Sequence, residues 1–435
     1  MTGVTAPASR AALLSGDRLL KATVVLSSLL FVVSAAAAIG QLAWSDRIDR
    51  RGGCGFDGYY YCLMLKGEVA PKPFSRRILL PFLARHVSTD SLAGFWLVNV
   101  LSLVAVTLLA MYVAWRLRPV VSSGAHLAFR VVPPLLAGAA FLLARNSFHI
   151  TATYPVLSDP LGLLLLVRAV ALVVVPALPS TRLLLIPVCF LAPLAREELT
   201  GVLALALVLA TLMRLLPWPV ALAASGASAA GAAYAFHQPN SGGAGLCSTG
   251  QNTFVSCPES VQSTLRVWLD ADFGSWNGLL RFGVMVLLAL GPFVFLLGTL
   301  RDRTRDKRLA LWIAGVAVIF TAVSIFGGGD TDRILTPAGL LLALAVLVSG
   351  SRSGKALLGL AVVVAAYAVQ QEPFHAVSGD PAVWLEFFGL RVTALSSVVH
   401  NGLIPSLIAL PIGAAGYLLL RSSGVDVATR DTGET

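Results

Sequence analysis

Residues 278–326 read GLLRFGVMVLLALGPFVFLLGTL, then RDRTRDKR at 301–308, then LALWIAGVAVIFTAVSIF. Two apolar runs, 278–300 and 309–326, flank an octet with five basic and two acidic residues. A helix needs about 20 apolar residues to cross the hydrocarbon core of a bilayer. In lipid each backbone N–H and C=O must find its partner within the segment, which a helix provides. An excess of Lys and Arg in a short loop marks the cytoplasmic side. The stretch therefore predicts a hairpin of membrane helices whose turn, Arg301–Arg308, lies inside.

Working outward, the same pattern repeats along the chain. Apolar runs occupy 19–44, 92–115, 127–144, 159–177, 182–195, 199–213, 217–236, 278–300, 309–326, 334–350, 355–370 and 395–420. The expected fold is an all-α polytopic membrane protein of about twelve transmembrane helices, with outer-face loops and short interfacial helices. Residues 1–18 form a cytoplasmic tail, 19–420 the membrane domain, and 421–435 a polar cytoplasmic tail. Runs 182–195 and 199–213 are short for a crossing and are expected to be tilted, broken or re-entrant. The first run is too long for the apolar core of a signal peptide and leads into further spans, so it reads as a retained helix. Composition agrees: 57% of the 435 residues are apolar, 12% are charged, and the mean hydropathy is +0.81. A soluble domain does not hide that much apolar surface.

Alternation from a cytoplasmic N-terminus divides the charges unevenly. The inner segments hold 18 of the 32 Lys and Arg residues and six of the 22 acidic ones; the outer segments hold 14 and 16. The +10 net charge thus follows from topology and attraction to anionic lipid, with no nucleic-acid partner required. Eight basic residues between Arg47 and Arg85 oppose the rule: either the topology fails in this loop or those charges serve a function. The long connections, 45–91, 237–277 and 371–394, are all outer, so the working face is expected there. Few Lys beside many Arg, Ala, Leu and Gly fits a GC-rich bacterial genome, and hence a bacterial cytoplasmic membrane.

Cys54 and Cys62 share the first outer loop, Cys247 and Cys257 the long one before 278, and Cys189 lies in an apolar run. Two close outer pairs and one buried thiol read as two local disulfides in an oxidising exterior, with free thiols as the alternative. Spacings of seven and nine residues, with no His between, argue against zinc.

Polar groups at the ends of membrane helices are functional candidates, because they are costly there. The outer ends carry FDGYYY at 56–61, PFSRRILLPFLAR at 73–85, RNSFH at 145–149, YPVLSDP at 154–160, REE at 196–198 and GGGDTDR at 327–333. Each brings an acid or an Arg to one depth, so Asp57, Arg76, Arg77, Arg145, Asp159, Arg196, Glu197, Asp330, Asp332 and Arg333 are expected to ring one outer cavity with Tyr60. Ordinary roles compete. Asp57-Gly58 can be a turn and Tyr59–Tyr61 an aromatic belt. Arg76 and Arg77 can snorkel to headgroups. Asp159 before Pro160 fits a helix N-cap. Arg196-Glu197-Glu198 can pair internally, and Arg333 with Asp330 or Asp332. Asp-Thr-Asp at 330–332 offers oxygens to Mg²⁺ or Mn²⁺, although a structural or sugar-binding role is favoured.

An Asp in the first outer loop, just after helix one, resembles the GT-C superfamily of polytopic glycosyltransferases. FDGYYY…PFSRRILLPFLAR is also similar to a bacterial GT-C-like group with a YDGQFYY…YRYQRILYPLLA pattern, over about thirty residues. Tyr59 stands where that group tends to have Gln, and the cysteines depart from it. The resemblance implies transfer of a sugar from a polyprenyl-phosphate carrier to an envelope glycan or glycolipid acceptor outside the membrane. It gives Asp57 the role of general base and Arg76, Arg77 or Arg333 that of holding the carrier phosphate. Buried charges in twelve spans also suit a transporter or lipid flippase, but the charges here gather at one face. No convincing Ser/His/Asp set supports an acyltransferase.

Overall fold

The computed structural model describes residues 58–70, 74–88, 91–117, 128–145, 150–153, 157–175, 179–239, 273–295, 307–324, 331–349, 354–372 and 398–422. Among them all regular structure is helical and there is no strand. The helices are α1 (Gly58–Leu65), α2 (Leu79–Val87), α3 (Ser91–Arg116), α4 (Ala128–Leu143), α5 (Ile150–Thr153), α6 (Asp159–Val174) and α7 (Leu185–Ala195). They continue as α8 (Leu199–Leu212), α9 (Trp218–Phe236), α10 (Trp276–Leu290), α11 (Lys307–Ser324), α12 (Thr331–Ser349), α13 (Gly354–Gln371) and α14 (Ile404–Ser422). A 3₁₀ turn at Phe74–Arg76 precedes α2, another at Pro179–Leu184 precedes α7, and a π-helical turn at Val399–Leu403 runs into α14. The first apolar run, Asp57, Cys54, Cys247, Cys257 and Asp330 lie outside the described residues.

Among the described residues, four helical stretches are long and apolar enough to cross a membrane: Ala93–Arg116, Trp218–Phe236, Trp276–Phe295 and Val399–Ser422. Others are apolar but shorter, among them Leu199–Leu212, Arg308–Val323 and Lys355–Gln371. The 182–195 run resolves into 3₁₀ turn plus α7, and the 199–213 run into α8. At 1.5 Å per residue, the 14 residues of α8 reach only about 21 Å, short of a ~30 Å core. These two helices are joined at Arg196–Glu198.

Packing follows the apolar pattern. α3 lies against α4 and α6, α7 against α6 and α9, and α11 against α8 and α12; α12 also meets α10, and α13 meets α4 and α14. Large apolar side chains remain on the outside, including Leu212, Leu222, Val318 and Leu418. So much apolar surface suits lipid, where close backbone approach replaces water exclusion as the force between helices.

The α13–α14 contact shows that approach. A Cβ on Gly359 would lie 2.6 Å from the Gly416 carbonyl oxygen, and one on Gly416 would lie 2.8 Å from that of Gly359. Only hydrogen fits on either side. Gly416→Leu is expected to lower stability by roughly 2–3 kcal/mol through overpacking, read as an earlier thermal unfolding transition in detergent, while Gly226→Leu on an open face leaves it unchanged.

A candidate site built from buried ion pairs

The turn Phe74–Arg76 is held from below by α1. Tyr60 stacks on Phe74 with centroids 4.5 Å apart, and Tyr61 meets the same ring edge-on at 5.8 Å. This aromatic seat fixes the backbone that presents Arg76 and Arg77. Arg77 reaches across 120 residues of sequence to Glu197: Nε donates to Oε2 and Nη2 to Oε1, both at 2.8 Å. Arg77 Nη1 donates to the Tyr61 hydroxyl at 3.4 Å. The side chains are 12% and 24% exposed, so this is a largely desolvated fork-to-fork pair.

Glu197 sits in the turn that ends α7. Arg196 has extended backbone there, its N–H still bonded to the Ala192 carbonyl, and the chain reverses into α8. Neighbouring residues consequently point to different partners. Arg196 forms ion pairs with Asp159, at the first position of α6, and with Glu198. Gly162 makes room for this: a Cβ there would come within 3.0 Å of Arg196 Cδ. Beneath Asp159 and Arg196 lies a pocket of about 20 Å³, lined also by Leu103, Phe320, Thr336 and Pro337. That is space for about one water, and it reaches the second turn of α12.

Electrostatics separate the arginines. Burial alone would push the Glu197 carboxyl up, but the Arg77 guanidinium and its hydrogen bonds outweigh it and pull the group down to about 2. Burial likewise works against the charge on Arg77, yet Glu197 holds it well above the ordinary guanidinium value. Arg76 goes the other way. Burial lowers it, Glu197 pulls it up and Arg77 pushes it down, with a net lowering. Its guanidinium carbon stands 3.8 Å over the Phe236 ring.

A second buried group lies apart from the first. Arg145, 1% exposed, follows α4 and donates from Nε to the Gln371 carbonyl at 3.2 Å and from Nη2 to the Asn401 carbonyl at 3.1 Å. Its backbone N–H donates to Gln371 Oε1 at 3.0 Å, and Glu372 stands 3.6 Å from Nη2. A cation here meets the negative end of α13. Glu372, which closes that helix, has φ +45°, an uncommon conformation for a side-chain-bearing residue.

Several expectations change. Asp159 is not an N-cap: Ser158 holds that position, and no side chain caps the helix. Its carboxylate serves Arg196 instead. Tyr60 is buried as packing rather than lining a cavity. Arg145 does not line the pocket with Asp159 and Arg196, because helix-end carbonyls claim it. The turn at 196–198 does pair internally, Arg196 with Glu198, while Glu197 forms its ion pair with Arg77. Arg77, Arg196, Glu197 and Asp159 do converge. The side chains of Asp332 and Arg333, in the first turn of α12, lie outside those described. Cys62 is disulfide-bonded, its partner outside the described residues, and the buried Cys189 is free.

Sequence reading missed Gln371, Glu372, Asn401 and Gly162, and named Glu198 only within the charged turn at 196–198. Glu372 carried a signal, as an acid at a helix end; Asn401 acts through its backbone carbonyl, which no residue type announces, and Gln371 through its carbonyl as well as its side-chain oxygen. Compared with family models, curated proteins and solved structures, the chain matches none.

Proposed function

We propose that the chain is a GT-C-type membrane glycosyltransferase with twelve spans, moving a sugar from a polyprenyl-phosphate donor to an envelope glycan or lipid acceptor at the outer face of a bacterial cytoplasmic membrane. One observation carries the reading. Segments at 77, 159 and 196–198, each at a helix end that the charge pattern assigns outside, meet in one buried ion-pair network over a pocket that reaches α12. A one-sided polar centre suits chemistry at that face; a transporter or flippase needs polar groups continuing to the other.

In this scheme Asp57, the residue before Gly58 in the sequence, takes the proton of the acceptor hydroxyl. The acceptor oxygen bonds to the anomeric carbon as the bond from that carbon to the carrier phosphate breaks. The electron pair leaves with the phosphate, and Arg333 meets its growing charge. Arg77 and Arg196, held by carboxylates, form the frame rather than the phosphate site. Asp330 and Asp332 contact the sugar or bind a divalent cation; transfer lost to chelator and restored by Mg²⁺ or Mn²⁺ selects the second role. Cys54–Cys62 and Cys247–Cys257 disulfides brace the outer loops.

The test is purified protein incubated with radiolabelled polyprenyl-phosphate sugars and envelope extract. Movement of one label into a glycan or glycolipid is expected. If no label moves while the protein carries labelled lipid across vesicle bilayers, the transferase reading is lost to the flippase.

A further inference from the structure

The geometry points to a binding site for an anionic phospholipid, its headgroup on Arg76 and an acyl chain along the outward face of α9. Of the three arginines near the ion-pair network, Arg77 and Arg196 have carboxylate partners. Among the described residues Arg76 makes no ion pair, and its Nε is buried without a hydrogen-bond partner there. A donor so placed calls for an acceptor. Its guanidinium carbon lies 3.8 Å from the Phe236 ring centroid, a cation–π contact that leaves the guanidinium N–H groups free to donate to a ligand arriving beside the ring. Glu197 is already taken up in both its oxygens by Arg77, so that pair is close to neutral and the Arg76 charge is left for an outside anion.

The ring under Arg76 belongs to the last residue of α9, the least buried of the four long apolar helices. Trp218, Leu222 and Tyr234 stand 65%, 61% and 53% exposed along it. Between them the face is shallow: Ala223, Gly226, Ala230 and Ala233 are exposed, and a Cβ added at Gly226 would meet nothing within 4 Å. A cation at one end of a membrane-length furrow, small-floored and rimmed by large apolar groups, matches a phosphate joined to a long hydrocarbon chain. No residue of α9 lines the Asp159–Arg196 pocket, so the occupant is a bilayer lipid and not a reacting substrate.

Native mass spectrometry of the full-length chain with dioleoylphosphatidylglycerol, against dioleoylphosphatidylcholine, tests this. Wild type is expected to retain one phosphatidylglycerol that Arg76→Ala loses or binds about tenfold more weakly. Arg76→Lys should fall between them, as should Phe236→Ala, which removes the ring; the exposed Arg85→Ala should match wild type. These milder variants decide the matter if Arg76→Ala does not fold. Equal retention by wild type, Arg76→Lys and Phe236→Ala overturns the site. So does preferential displacement of phosphatidylglycerol by polyprenyl phosphate, which would give Arg76 to the carrier. Retention is read on the protein alone, so a failed transfer assay leaves it standing, and the reverse.

Discussion

Asp57→Asn is expected to lower sugar transfer by about 10²–10⁴-fold, the usual worth of a positioned general base, while thermal unfolding in detergent stays near that of wild type. The substitution keeps the size and polarity of the side chain and removes its capacity to accept a proton. The residue immediately precedes α1 in the sequence, and α1 carries Tyr60 and Tyr61, which pack on Phe74. A base acts in the step and not in the fold, so the loss should fall on kcat with KM for the donor little changed. A folded Asp57→Asn protein with near-normal transfer would remove Asp57 from the mechanism.

Arg77→Ala should be the most destabilising single change at the site, at roughly 3–5 kcal/mol, because it strands a buried carboxylate. Arg77→Ala with Glu197→Ala should recover a large part of that loss, since neither charge is then left alone. The same pair predicts a pH dependence. Glu197 titrates at about 2 when folded, against about 4.3 for a free Glu carboxyl. Above pH ~5 both states are ionised and the contribution is complete. As the pH falls from ~4.3 towards 2, the unfolded chain takes up the proton first, and stability on the order of 3 kcal/mol is lost. Unfolding curves from pH 7 to 2.5 should show this slope in wild type and lose it in Glu197→Gln. Identical slopes would mean that the Arg77–Glu197 pair contributes no acid sensitivity.

The balance between readable and unreadable features is clearest at Arg196-Glu197-Glu198. Three adjacent charges between two short apolar runs announce a polar turn at a helix end, and that turn is present. Their partners are not announced. Glu197 meets Arg77, 120 positions away, while Arg196 holds Asp159 and Glu198. An acid chooses among basic residues by where helices pack, and packing here rests on details such as the missing side chain at Gly162. Arg145 shows the same limit in another form. Its charge and helix-end position are plain in the sequence, yet it ends buried against two carbonyls, because α4 and α13 abut.

Sequence alone therefore determined that this is a helical, strongly apolar chain with helices of membrane-crossing length and with most charges near their ends. The cause is local: a backbone in lipid must bond to itself, and a charge must reach water. Tertiary structure decided which charges neutralise one another, which arginine is left over for an outside anion, and which glycines are indispensable. Those outcomes depend on distances between helices remote in the chain, and a pairing energy exists only once such helices have met.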